Sequence, residues 1–303
     1  MGILDIINIP FGYLFKYIYL LLRDYGWTLV VFTIVTKAVL LPLTIKQMKT
    51  TNKMQALQPK LQEIQKKYQY DKDKLNQETM KLYQNAGVNP MGGCLPLLIQ
   101  FPLLIALYNI IRSPLSYVVQ LGKHGLPTIG EVHGVLTSLG VNVAANDQIA
   151  IASKMSEYAA ELKAAFPNAD FLNINFMSFG LNLSATPSIS TLNWLLIIPV
   201  LAAVTTYLVS FLTNKMNKQP SNNNQPEGAA GSMQMMTYLF PAMTFFFSIS
   251  LPAGLGLYWT VSNIFQIVQQ YAMKYLFPKE QPEVQAPKHF RQREAEKAER
   301  RKK

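Results

Sequence analysis

The sequence predicts an all-α integral membrane protein: a five-transmembrane-helix bundle with a cytoplasmic helical hairpin and an outer amphipathic helix. Three observations predict it. Half of the 303 residues are apolar and 15% are charged, against roughly 25% charged in average soluble chains, and the mean hydropathy is +0.11. The apolar residues come in blocks that approach the about 20 residues a helix needs to cross a bilayer core. The Lys and Arg residues gather between the blocks, and on one side of the predicted membrane. An ordinary soluble globule and a disordered chain are thereby excluded. The single cysteine, Cys94, excludes a disulfide framework and a cysteine-based zinc site.

The five spans are residues 27–45, 94–111, 194–212, 233–251 and 255–277. The first holds one charge, Lys37, and the last holds Lys274, close enough to its end to snorkel. The other three hold none. Pro252, Ala253 and Gly254 separate the fourth and fifth spans, which predicts a tight hairpin there. Between the spans, residues 46–93 carry nine Lys and four acids, residues 213–232 two Lys and one acid, and residues 278–303 nine Lys/Arg and five acids. Residues 112–193 carry four Lys/Arg and five acids. Lysine-rich loops stay in the cytoplasm, so the chain is expected N-terminus outside and C-terminus inside. Most of the net charge of +11 is then a topology signal.

Residues 1–26 show Ile3, Ile6, Ile7, Phe11, Leu14, Ile18, Leu21 and Leu22 at helical spacing, with Lys16, Arg23 and Asp24 among them. No basic leader or small-residue cleavage site precedes them, so the expectation is an interfacial amphipathic helix on the outer face. A further span would break the charge alternation.

Residues 46–93 read as a coiled-coil-like hairpin. Met54, Leu57, Leu61, Ile64 and Tyr68 form a 3-4-3-4 seam, residues 70–73 the turn, and Leu75, Thr79 and Leu82 the second limb. Pro59 is expected to kink the first limb. The hairpin is either a solvated connector or a mobile docking element. In the outer loop, residues 112–193, an amphipathic helix is expected over 148–165. Residues 171–183 alternate apolar residues with Asn and suit the membrane interface. Residues 213–232 are rich in Asn, Gln and Gly and read as a flexible cytoplasmic loop. The basic tail, residues 278–303, offers Arg291, Arg293, Arg300, Arg301, Lys302 and Lys303. These suit anionic lipid or the phosphates of ribosomal RNA equally.

Lys37 is the most informative residue. At about 1.5 Å per residue the nearer end of its span is on the order of 12 Å away, beyond easy snorkelling. A charge at a helix centre costs roughly 2.5–3.5 kcal/mol on insertion scales. No Asp or Glu lies inside any of the five spans to offset it. Lys37 is therefore neutral, or solvated by carbonyls and hydroxyls, or faces water. Polar stripes favour the last. Thr33, Lys37 and Thr44 share a face of the first span, and Trp259, Asn263, Gln266 and Gln270 one of the fifth. Thr206, Ser210 and Thr213 share a face of the third, and Gln100 stands in the second. Such stripes also arise from plain interhelical hydrogen bonds, so each alone is weak.

Bond chemistry is not expected. The three histidines lie outside the spans, no nucleotide-binding loop occurs, and no intramembrane carboxylate offers ion coupling. No cofactor or metal is implied.

The residues 89–108, NPMGGCLPLLIQFPLLIALY, resemble the second-span signature of the YidC-type membrane protein insertases. Residues 36–47, TKAVLLPLTIKQ, with 54–68, MQALQPKLQEIQKKY, resemble that family's first span and cytoplasmic hairpin. Residues 252–263, PAGLGLYWTVSN, resemble its last span. The resemblance implies a short bacterial form in the plasma membrane, without the long outer domain or lipid-modified cysteine of some members. It implies a five-helix bundle around a groove open to the cytoplasm and to lipid, in which a positive residue, usually arginine, lines the first span. Lys37 takes that place. It keeps the charge but loses the bidentate fork that suits a carboxylate. Gln100 and Trp259 stand at family motif positions. A third-span glutamine seen in some members has no counterpart.

The implied activity is insertion of nascent membrane proteins, alone or with the Sec translocon, with ribosome docking and without ATP. Groove contacts would come from Lys37, Thr33, Thr44, Gln100, Thr206, Ser210, Trp259, Asn263 and Gln266. A hydrophobic slide would come from Leu97, Leu98, Phe101, Leu104, Met236, Phe240 and Phe247. The alternatives are an assembly chaperone or scaffold for helices already inserted, and a small-solute transporter or channel.

Overall fold

The computed structural model describes residues 5–88, 95–190, 193–216 and 227–276; the side chains at 55, 95–99, 216 and 227–236 lie outside that description. The order is α1 (Asp5–Leu22), α2 (Tyr25–Ala56), α3 (Gln58–Lys67), α4 (Lys72–Asn85), α5 (Leu95–Arg112), a π-helical turn (Leu115–Val119), α6 (Ile129–Ser138), α7 (Gln148–Glu157), α8 (Ala159–Ala165), β1 (Met177–Ser178), β2 (Leu181–Asn182), a 3-10 turn (Trp194–Leu196), α9 (Ile197–Met216), α10 (Glu227–Ser250) and α11 (Ala253–Leu276). Two compact units result. The first takes Met1–Leu40, Leu98–Gln219 and Pro226–Gln270, and the second Leu41–Leu97, Pro220–Gln225 and Tyr271–Lys303.

Among the described residues, three stretches are long and apolar enough to cross a membrane: Asp5–Leu22, Tyr25–Met54 and Trp194–Lys215. Thr237–Ser250 is a shorter apolar helix. Helix is the expected form, because lipid offers the backbone no hydrogen-bond partner and each N–H must be paired within the segment. α1, read from sequence as interfacial, meets the same criterion of length and composition. It buries Asn8, Gly12, Phe15 and Tyr19 on one face and leaves Ile6, Tyr17 and Leu21 exposed. α1 and α2 part at Arg23, whose φ is 54°. Asp24 then caps α2 by accepting from the Trp27 N–H at 2.9 Å.

The core of the first unit forms where these helices meet the segment between α5 and α9. Phe15 and Phe32 lie 5.7 Å apart, with Phe11 edge-on to Phe32 at 5.8 Å. Leu107, Ile111, Leu115, Leu136, Ile151 and Leu183 are fully buried in the same cluster. Gly12 lets the Tyr117 backbone lie directly against α1, where a Cβ would strike the carbonyl oxygen. The strand region also seals α11. The Ala253 and Gly254 N–H groups, which an α-helix start leaves orphaned, donate to the carbonyls of Ala185 at 2.9 Å and Leu183 at 2.8 Å.

Several boundaries differ from expectation. Ala253 and Gly254 are the first turn of α11 rather than part of the turn before it. The single helix expected over 148–165 is two, α7 and α8, broken at Tyr158, whose ψ is 35°. α6 was not anticipated, although Thr128 and Glu131 spell a capping box and form one.

In the second unit α2 continues to Ala56, so the first limb of the hairpin starts as an extension of the span helix. Pro59 interrupts the limb: helix ends at Ala56 and restarts at Gln58, with Pro59 in the first turn of α3, where its missing N–H forfeits no intrahelical bond. Leu57, Leu82 and Val88 form the hairpin core, with Met54, Leu61 and Ile64 against it. Asp71 caps α4 by accepting from the Lys74 N–H at 3.0 Å. The Lys74 side chain and that N–H together hold the Asp71 carboxyl below its ordinary range. A depressed carboxyl contributes stability above its unfolded value, about 3.9, and loses it as pH falls through the native value. Protection of the Lys74 amide against hydrogen exchange is expected to fall over that acidic window, and at all pH values in Asp71→Ala.

Candidate functional site

The site is assembled from three helices of the first unit. Lys37 points from α2 and donates from Nζ to Gln100 Oε1 on α5 at 3.0 Å. The Gln100 amide nitrogen donates in turn to the Tyr258 hydroxyl on α11 at 2.6 Å. Because the Lys37 ammonium can only donate, it takes the carbonyl end of Gln100 and leaves the NH2 end for the phenol, which can accept. The direction of each bond is therefore set from α2 inward. Lys37 is half-buried, and Tyr258 is fully buried. Among the described residues the ion pairs are Lys74–Asp71, Lys81–Glu78 and Lys154–Glu157, none of which involves Lys37. The Lys37 amine is held by a neutral amide.

Tyr258 is the residue that sequence reasoning missed. Its neighbour Trp259, which was singled out, is half-buried beside it in the chain.

The polar stripes of α9 and α11 meet each other. The Asn263 Nδ2 donates to Thr205 Oγ1 at 3.1 Å and Thr206 Oγ1 at 2.8 Å. Gln270 Nε2 donates to Thr213 Oγ1 at 2.8 Å. The threonines pass their own protons back to α9, at the Leu201, Ala202 and Val209 carbonyls. Asn214 reaches Thr237 on α10 at 2.8 Å. These are interhelical ties of the kind that replace hydrophobic driving force inside lipid.

The other expected contacts are dispersed. Thr33 is fully buried, its hydroxyl on the Leu29 carbonyl at 2.6 Å. Thr44 lies in the second unit, donating to the Leu41 carbonyl at 3.0 Å. Ser210 is half-buried and Gln266 exposed. Of the slide residues, Phe101, Phe240 and Phe247 are exposed and Leu104 is half-buried. The side chains of Leu97, Leu98 and Met236 lie outside the described set, as does the tail with Arg291, Arg293, Arg300, Arg301, Lys302 and Lys303. Among the described residues no cluster of three His, Cys, Asp or Glu could hold a metal ion.

The sequence profile of the family described as "60Kd inner membrane protein" matches residues 17–280. "Membrane protein insertase YidC 2" of Bacillus anthracis is 32% identical over 269 residues, covering 88% of this chain and 75% of that protein. "Membrane protein insertase YidC" of Caldanaerobacter subterraneus subsp. tengcongensis is 32% identical over 260 residues, 86% of this chain and 90% of the relative. The protein of that name from Ralstonia nicotianae is 30% identical over 90% of this chain, which spans only 36% of its length. A solved structure, "Active YidC insertase crystal structure with the first transmembrane domain resolved", shares the fold. Its TM-score is 0.50 at 24% identity, over 89% of this chain and 47% of that one.

Proposed function

This chain belongs to the YidC family of membrane protein insertases, and on that premise we propose that it inserts nascent membrane proteins by offering their polar segments a cationic, hydrogen-bonding path into the bilayer. The observation that carries the reading is Lys37, mid-helix and held by Gln100 rather than by a carboxylate. A lysine locked in an ion pair has spent its charge. One held by an amide oxygen keeps a net positive charge, and an ammonium has three donors, so two remain for a visiting carboxylate or carbonyl.

A short acidic or polar segment approaches from the cytoplasm and exchanges part of its hydration for Lys37 and the neighbouring amide and hydroxyl groups. This lowers the cost of moving polar groups into an apolar medium. The adjoining apolar segment leaves sideways past Phe101, Phe240 and Phe247 into lipid. Its transfer supplies the driving force, so no ATP is consumed. The hairpin α3–α4 receives the substrate. The basic tail holds the ribosome or anionic lipid, and the Sec translocon is a partner for longer substrates. The chain sits in the bacterial plasma membrane with five spans, its N-terminus outside and its C-terminus in the cytoplasm.

Reconstitution into liposomes tests the activity. Purified chain is expected to insert a short single-span substrate without Sec. Solute flux without insertion would indicate a transporter or channel. Assembly of helices already inserted, without new insertion, would indicate a scaffold.

A further inference from the structure

The β1–β2 hairpin carries its side chains the wrong way round for a hairpin facing water. A strand covered on one face puts apolar residues in and polar ones out. Here Ser178 is 4% exposed, while Met177 and Phe179 beside it are 50% and 53% exposed. The Ser178 hydroxyl donates to Asp24 Oδ1 at 2.6 Å, the same carboxylate oxygen that caps α2. The polar side chain is used to fasten the hairpin to the start of a membrane-crossing helix, and the apolar ones are left outside.

The turn keeps them there. Phe179 and Gly180 both have positive φ, 54° and 74°, as the two central residues of a tight hairpin turn require. Asn, Asp or Gly suits the first of these positions; a bulky residue in the left-handed region is uncommon. Phenylalanine is thus not there for the turn. Its ring stands edge-on to Trp27, with centroids 5.6 Å apart, over Gly26, where a Cβ would come within 2.5 Å of the ring. Tyr19 of α1 steadies the approach strand. Its hydroxyl accepts from the Asn175 N–H at 2.9 Å and donates to the Asn173 carbonyl at 3.2 Å. Trp27 is itself 54% exposed, in the first turn of the apolar stretch Tyr25–Met54. That is the level at which tryptophan marks the membrane–water interface.

We propose that the tip of this hairpin is a lipid anchor: Met177 and Phe179, together with Trp27, insert into the glycerol–acyl boundary of the bilayer and tie the outer loop to the membrane surface. The occupant is phospholipid because the patch is continuous with the end of a membrane-crossing helix, where the lipid interface begins. Only the choice of the outer leaflet rests on the orientation proposed above; contact with lipid does not.

Fluorescence quenching in vesicles tests it. In a full-length Cys94→Ser background, Phe179→Cys, Met177→Cys and, as a control, the exposed outer-loop Ala145→Cys each carry a bimane label. The proteins are reconstituted in phosphatidylethanolamine–phosphatidylglycerol vesicles. Labels at 179 and 177 are expected to be quenched by a lipid bearing a nitroxide near its headgroup, and several-fold less by aqueous iodide than the label at 145. Met177→Cys leaves the Phe179–Trp27 contact intact, so it reports even if the change at 179 loosens the turn. Iodide quenching at 177 equal to that at 145, without quenching from lipid, would overturn the anchor. That is also the outcome if a protein partner or water covers the tip. Insertion activity is not the readout, so failure of the insertase reading would leave this result unaffected.

Discussion

Lys37→Glu is expected to abolish insertion of a single-span substrate with an acidic translocated tail, Lys37→Arg to preserve it, and Lys37→Gln to fall between. The size follows from Coulomb's law. Two unit charges about 8 Å apart in a medium of effective dielectric about 20 interact by about 2 kcal/mol. Reversing the sign turns that attraction into a repulsion, and each 1.4 kcal/mol is about a tenfold change. A loss of at least about two orders of magnitude is therefore within reach of one side chain. A substrate whose translocated segment is uncharged should respond far less, which separates an electrostatic role from a general folding defect. The hydrogen bond from Lys37 to Gln100 at 3.0 Å supplies a sharper control. The exchange Lys37→Gln with Gln100→Lys keeps both groups and moves the ammonium from α2 to α5. If the charge is what matters, the exchanged protein inserts acidic tails better than Lys37→Gln alone. Normal insertion by Lys37→Glu would sink the electrostatic mechanism outright.

The same pair shows what was legible in the sequence. Lys37 and Gln100 were both readable, because a charge and an amide within apolar runs stand out against their neighbours. The phenol behind them was not. Tyr258 lies 158 positions from Gln100, and a tyrosine in an apolar run reads as packing or as an interface anchor. The hydroxyl stripes were readable as positions but not as surfaces. Thr33 and Thr206 satisfy their hydroxyls on their own helix, at 2.6 and 2.7 Å. A stripe of threonine is thus compatible with a dry seam as well as a wet one, and only the tertiary contacts decide. Helix ends followed the same logic. Pro59 was visible, and with it the break in the limb; that Leu57 at the break is buried in the Leu57–Leu82–Val88 cluster was not. The inverted hairpin at 177–182 was legible only as an alternation of apolar and polar residues. The pattern gives a period of two and does not say which face meets protein.

The other large effect is expected at Gly256, where the chain has no space for a side chain. A Cβ there would meet the Ser248 hydroxyl and come within 2.7 Å of the Ile198 methyl. α11 thus touches α10 and α9 through a residue that offers no side chain, as closely packed membrane helices commonly do. Gly256→Ala overpacks this junction, and such insertions typically cost about 1–3 kcal/mol. Gly256→Leu should separate the helices and with them the Asn263–Thr206 tie. The expected result is a modestly lower thermal midpoint in detergent for the alanine variant and little folded protein for the leucine one. Ser248 makes the cause testable. It is fully buried and its hydroxyl has no hydrogen-bond partner among the described residues, so Ser248→Ala alone removes an unsatisfied group and should be neutral or mildly stabilising. Combined with Gly256→Ala it also removes the atom that the new Cβ strikes. The double variant should then recover part of the lost midpoint beyond the sum of the two single changes. Strict additivity would mean that the glycine is needed for the contact with Ile198 alone.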